Sequence, residues 1–172
     1  MKANLRTVIE TSKVAFYFFF SEDAGCLSAY LSFDQVNAGI IYDDSHNGNL
    51  AKLNNGSTIT KDGKFGKALK LVEGGNITFD VKTFHNRPRD AITVALWLKL
   101  SDVGGFHEVF FTCGKPQIYN MGEYHLELLN GHIRWSLKDI NMKRVFNITS
   151  SEYMQTSKET EGERGWWGGG CY

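Results

Sequence analysis

Apolar and polar positions alternate with a period of two along much of this chain, the spacing of strands that turn one face inward. In Ala91–Leu100, Ile92, Val94, Leu96 and Leu98 point one way, and Thr93, Ala95, Trp97 and Lys99 the other. Both faces carry apolar groups, which predicts a central strand covered on both sides. Glu108–Cys113 sets Val109, Phe111 and Cys113 against Glu108, Phe110 and Thr112. Tyr124–Leu129, Asn130-Gly131 and His132–Leu137 read as a hairpin, because Asn-Gly takes the left-handed conformation of a two-residue type I′ turn. Its core face is expected to hold Tyr124, Leu126, Leu128, Ile133, Trp135 and Leu137, with His125 and Glu127 facing outward. Lys143–Ile148 reads as one more strand. No helical stripe of comparable strength occurs, so the fold class is all-β.

Composition changes this picture little. A chain of 172 residues is long enough for one domain with a real core. Its 19 basic residues balance 19 acidic ones, which leaves no electrostatic footprint for nucleic acid. Twelve Phe, seven Tyr and four Trp suit pleated, half-buried surfaces, and 18 Gly suit the corners between them. Cys26, Cys113 and Cys171 lie at no metal-ligand spacing, and their odd number leaves at least one thiol unpaired within the chain.

The two ends differ from the middle. Lys2, Arg6 and Lys13 precede the apolar run Val14–Phe20, so residues 1–26 read as a leader, an upstream segment or a first strand. No run reaches the roughly 20 apolar residues of a membrane span. Residues 150–172 are polar and close on Trp-Trp-Gly-Gly-Gly-Cys-Tyr, a composition expected to stay disordered.

The most specific pattern lies between Leu27 and Phe79. An extended AYLSFD segment ends in Phe33-Asp34, and Asp44-Ser45-His46-Asn47-Gly48-Asn49 follows. Phe65-Gly66-Lys67-Ala68-Leu69 then makes a corner, and Trp97 stands on the strongest strand run. This order resembles the laminin-G-like, or concanavalin A-like lectin-glucanase, jelly-roll domains over roughly residues 27–149. The resemblance implies an antiparallel β-sandwich that binds extracellular ligands or builds adhesive proteins rather than one that catalyses. Two later family features, a Trp-x-His-Val-Ala strand and a Tyr-x-Asn-Gly hairpin, do not occur in the sequence. The chain therefore reads as the first half or two-thirds of a jelly roll, followed by an unrelated tail.

Candidate chemistry is sparse. Asp43, Asp44, Asn47 and Asn49 crowd oxygen-bearing side chains into one loop, with Asp34 as a further ligand if its strand end lies alongside. Calcium takes six to eight such oxygens. The other reading of this loop is an Asx-turn whose side chains bond to backbone. For a glycan or protein ligand, Trp97 offers an aromatic platform, or else packs in the core. Arg87 and Arg89 lie in a loop expected to be exposed, whereas Trp135 belongs to the core face of the hairpin. Catalysis finds no support: Glu123 and Glu127 lack the compact Glu-x-Asp-x-x-Glu strand of retaining glycoside hydrolases on this fold. No nucleophile elbow, zinc helix or phosphate loop occurs. Three sequons, at Asn55, Asn76 and Asn147, agree with secretion, and Asn55 is expected to be the best acceptor. The leading expectation is a non-enzymatic extracellular recognition module for a glycan or protein ligand, with calcium as a candidate structural ion. The alternatives are a hydrolase of the same fold whose catalytic part lies outside this sequence, and a structural spacer.

Overall fold

The computed structural model describes residues 9–15, 27–79, 84–85, 93–100, 103–111, 123–154 and 167–170. These form thirteen strands: β1 (Ile9–Ala15), β2 (Val36–Asn37), β3 (Ile40–Tyr42), β4 (Leu50–Asn54), β5 (Thr58–Thr60), β6 (Ala68–Lys70) and β7 (Asn76–Phe79), then β8 (Ala95–Leu100), β9 (Phe106–Phe111), β10 (Glu123–Leu129), β11 (His132–Lys138), β12 (Arg144–Tyr153) and β13 (Trp167–Gly170). Every pairing between them is antiparallel. Among the described residues there is no helix, and hence none long and apolar enough to cross a membrane. The all-β reading of the sequence holds.

The chain divides into two compact units, one of Val8–Ser101 with Ser157–Tyr172, the other of Met1–Thr7 with Asp102–Thr156. The first contains two sheets, ordered β13-β8-β1-β6-β5 and β2-β3-β4-β7. In β8, burial alternates along the strand as its sequence predicts: Leu96, Leu98 and Leu100 are buried, and Ala95, Trp97 and Lys99 are half-buried. With β13 on one edge and β1 on the other, it is an interior strand. Ile41 and Ala51 of the second sheet and Leu69 of the first are buried as well, so both sheets contribute to the unit's apolar interior, the character of a β-sandwich. Within the N-terminal segment, residues 9–15 form β1. The remainder of the apolar run, from Phe16 to Phe20, lies outside the described residues.

AYLSFD departs from expectation. Residues 27–34 belong to no sheet, and the segment bends at Phe33, whose φ is 63°. Ala29, Leu31 and Phe33 are fully buried, and so is Ser28 just before them. Burying Leu31 or Phe33 contributes about 2 kcal/mol each. A segment buried on both sides cannot leave its amides to water, so its N–H groups need partners from elsewhere. For Tyr30, Ser32 and Asp34 those partners include side chains.

The second unit contains the sheet β12-β11-β10-β9. Its hairpin has the predicted register, Tyr124 opposite Leu137 through Leu129 opposite His132. Asn130 (φ 48°) and Gly131 (φ 83°) are both left-handed, as the type I′ turn requires. A Cβ at Gly131 would run into the Tyr153 ring, so no other residue fits there without displacing that side chain. Leu126 and Leu128 are buried, and Tyr124, Trp135 and Phe146 form an aromatic row with centroids 6.2 and 6.4 Å apart. β12 runs past Ile148 as far as Tyr153, and β13 pairs with β8. Strand pairing therefore reaches residues 150–153 and 167–170 of the segment expected to be disordered. Backbone pairing needs neither branched side chains nor a hydrophobic pattern, and those were the cues that the tail lacks.

Candidate functional site

The loop between β3 and β4 holds four of the five candidate calcium ligands, and their oxygens and amides are bonded to the protein itself. Asp43 Oδ1 accepts from the Tyr30 amide at 2.8 Å and the Ser45 amide at 2.9 Å. Asp43 Oδ2 accepts from Ser45 Oγ and from Asn49 Nδ2, both at 2.7 Å. A carboxylate offers about four lone-pair positions, and all four are engaged by donors. Asp44 Oδ2 accepts from the Ser32 amide at 3.1 Å, and the Asp44 amide donates to the Tyr30 carbonyl at 2.8 Å. The two carboxylates thus take the place of a strand partner for residues 30 and 32. Asn47 Nδ2 donates to the carbonyls of Leu27 and Ser28, at 2.5 and 3.1 Å. Asn49, itself buried, donates to the Ser28 carbonyl at 2.9 Å and accepts from the His85 amide at 2.7 Å. This is an Asx-turn latch that holds the buried 27–33 segment in place.

Asp34 serves another corner. Its Oδ1 accepts from the Lys67 amide at 3.1 Å, and Lys67 Nζ donates to its carbonyl at 3.0 Å. These bonds tie the Phe33-Asp34 end to the glycine corner rather than to the 43–49 loop.

The corner brings a second group of side chains to β8. Phe65, 54% exposed, lies edge-on to Trp97 with centroids 5.9 Å apart, and Lys64 Nζ sits 5.5 Å from the Trp97 ring centre. Strand register puts Lys99 and Lys70 on the same face, since both stand opposite Glu10. Thr58 lies opposite Lys70 and shares it. The result is an aromatic pair with Lys64 beside it, on the side of the five-stranded sheet that also carries Lys99, Lys70 and Thr58. Sequence reasoning singled out Trp97 and missed Phe65 and Lys64. Their signal was the Lys-Phe-Gly-Lys run, an aromatic between lysines in a loop, where a core position was not expected. Arg87 and Arg89 lie outside the described residues.

A third cluster lies on the hairpin of the second unit. Glu127, expected to face solvent, is 5% exposed. Arg134, directly across the ladder, donates through Nε to Glu127 Oε2 at 2.5 Å. His125 lies between two carboxylates, 3.3 Å from Glu127 and 3.2 Å from Glu123. Lys138 Nζ is 2.9 Å from Glu123. The period-two pattern located this face but not its burial. Cross-strand pairing of opposite charges is what lets it be covered.

Burial pushes the Glu123 carboxyl up, but hydrogen bonds and charge from Lys138 and His125 outweigh it and hold the group below its ordinary value. Folding thus favours its charged form. The stability this supplies is present above the ordinary glutamate range and is lost as pH falls through the lowered value. Glu123→Gln is expected to flatten the acid limb of the unit's pH–stability profile below about pH 4.5, which urea titrations across pH would show.

Of the sequon asparagines, Asn55 sits at the tip of the β4–β5 turn with φ 52°, Asn76 opens β7, and Asn147 lies within β12; all three are exposed. No protein-family model, curated protein or solved structure matches this chain.

Proposed function

We propose that this protein is a non-enzymatic extracellular recognition module of the jelly-roll kind, and that it binds a glycan on the Trp97 face. The observation that supports the reading is the Trp97–Phe65–Lys64 cluster. A half-buried tryptophan edged by an exposed phenylalanine, with a cation near its ring, is suited to a ligand with both apolar faces and polar edges. Sugar rings have that character: axial C–H groups lie on a Trp face while hydroxyls reach the neighbouring lysines and Thr58. The pattern of residues 27–69 supports the jelly-roll assignment.

The non-catalytic part of the reading rests on the hairpin. Glu123 and Glu127 are each ion-paired to a cation on β11, which leaves neither carboxylate as the free partner that a two-carboxylate mechanism needs. Calcium enters the reading only as a candidate ion at the 43–49 loop, where the Asp43 carboxylate already accepts from four protein donors.

The test is a glycan array probed with the wild-type chain, Trp97→Ala and Phe65→Ala. Ring truncation at a binding platform costs at least tenfold in affinity. Phe65 is exposed, so its variant is expected to fold normally and still lose binding. Retained affinity in both variants would remove the Trp97 face from the function, and capture of a protein instead of any glycan would change the ligand class.

A further inference from the structure

β12 is an outer strand of its sheet, and its sequence is poorly suited to be left bare. Val145 is 59% exposed and Ile148 is 62% exposed, on a strand of ten residues. Its register shifts near both ends, between the partners of Leu137 and Lys138 and between those of His132 and Arg134. Such irregularities blunt an edge where they occur. Phe146 to Thr149, between them, pairs regularly with β11 and presents a straight edge with an exposed isoleucine. That stretch contains the sequon Asn147-Ile148-Thr149.

The three sequons are not equivalent. Asn55 Nδ2 donates to the Gly74 carbonyl at 3.1 Å, and Ser57, its sequon hydroxyl, is buried with Oγ donating to the Asn54 carbonyl at 2.7 Å. Asn76 Nδ2 donates to the same Gly74 carbonyl at 3.4 Å, and both Asn76 Oδ1 and Thr78 Oγ1 accept from Asn54 Nδ2 at 3.1 Å. A sugar on either amide would have to fit within that shared network. Asn147, Ile148 and Thr149 are all exposed, and the Asn147 side chain makes no hydrogen bond among the described residues. Register sets Asn147 opposite Ser136 and Thr149 opposite Arg134, on the polar face of the sheet.

We infer that Asn147 is the glycosylated sequon of this chain, and that its glycan caps the β12 edge against pairing with a second copy. A branched, hydrated oligosaccharide at the middle of the straight stretch keeps another strand from approaching its free N–H and C=O groups. Ile148, opposite Trp135 on the other face, supplies the exposed apolar side chain that a second copy would bury on pairing. The inference rests on the extracellular reading above, since only a chain that enters the secretory route meets the transferase.

The test translates the full chain with microsomes behind a heterologous leader, with Asn55→Gln, Asn76→Gln and Asn147→Gln variants. The leader-bearing chain is expected to show one glycosidase-sensitive mobility step, lost only with Asn147→Gln. A step that survives Asn147→Gln, or is lost with Asn55→Gln or Asn76→Gln instead, overturns the site assignment. The glycan array above tests the extracellular recognition reading separately, and its failure would leave the site result standing. For the cap, light scattering compares the glycosylated chain with Asn147→Gln. The glycosylated chain is expected to be monomeric, Asn147→Gln to self-associate, and Ile148→Lys in the Asn147→Gln background to restore the monomer. Equal masses with and without the glycan, or association that Ile148→Lys does not relieve, would overturn the cap.

Discussion

Asp43→Ala is expected to destabilise the Val8–Ser101 unit by about 3 kcal/mol, the largest single-residue effect outside the apolar interior. The substitution removes one carboxylate but strands four donors: two backbone amides, a hydroxyl and the amide of buried Asn49. Orphaned donors near the interior cost more than the bonds they once made, because water cannot reach all of them. Asp43→Asn keeps the shape and one oxygen but turns an N–H₂ toward donors, so an intermediate loss of about 1–2 kcal/mol is expected. Hydrogen exchange at the Tyr30 and Ser45 amides isolates the effect, since both should lose protection in Asp43→Ala. The unfolding midpoint of the wild-type chain is expected to be the same in calcium and in excess chelator. A midpoint that falls with chelator would identify the loop as a metal site and refute its description as a latch closed by donors.

Glu127→Ala is expected to cost the second unit about 2 kcal/mol. The figure lies below the range for fully buried pairs because the Arg134 side chain remains 28% exposed and recovers part of its hydration. What is left is a guanidinium held against a covered sheet face without its carboxylate, and His125 loses one of its two acidic neighbours. Glu127→Leu combined with Arg134→Met should recover most of the loss, because hydrophobic replacement of a buried pair is commonly neutral or stabilising. Urea denaturation of the two variants decides the matter. If the double variant is as unstable as Glu127→Ala, the pair is needed for more than its mutual neutralisation.

Periodicity made much of the fold legible, where strands pair side by side and turn one face inward. Leu96, Leu98 and Leu100, the Asn130-Gly131 turn and the hairpin register all follow from spacing and turn chemistry. It failed where the backbone is satisfied by something other than a ladder. The 27–34 segment has the composition of a strand, but its amides bond to Asp43 and Asp44, and nothing local to AYLSFD announces partners 12 and 13 residues away. β13 failed in the opposite sense. Three glycines give no pattern at all, yet they pair with β8 because pairing uses only the main chain. The charged face of the hairpin was located correctly and its exposure was not, since Arg134 and Glu127 neutralise each other only once the strands are aligned. At the Trp97 cluster one of three residues was legible. The other two reach Trp97 from a loop whose path depends on the Asp34–Lys67 tie.

The latch also bears on how the first unit assembles. Its bonds to residues 27–32 join partners 12 to 21 apart, whereas the five-stranded sheet must bring Ile9 to Leu100 and Gly170 to Ala95. The entropy of loop closure grows with the length enclosed, and distant pairings are made slowly. Residues 27–49 can therefore close on themselves as a small nucleus while the ends of the chain are still searching. They would then present Leu31, Phe33 and Ile41 as a preformed surface on which the larger sheet condenses.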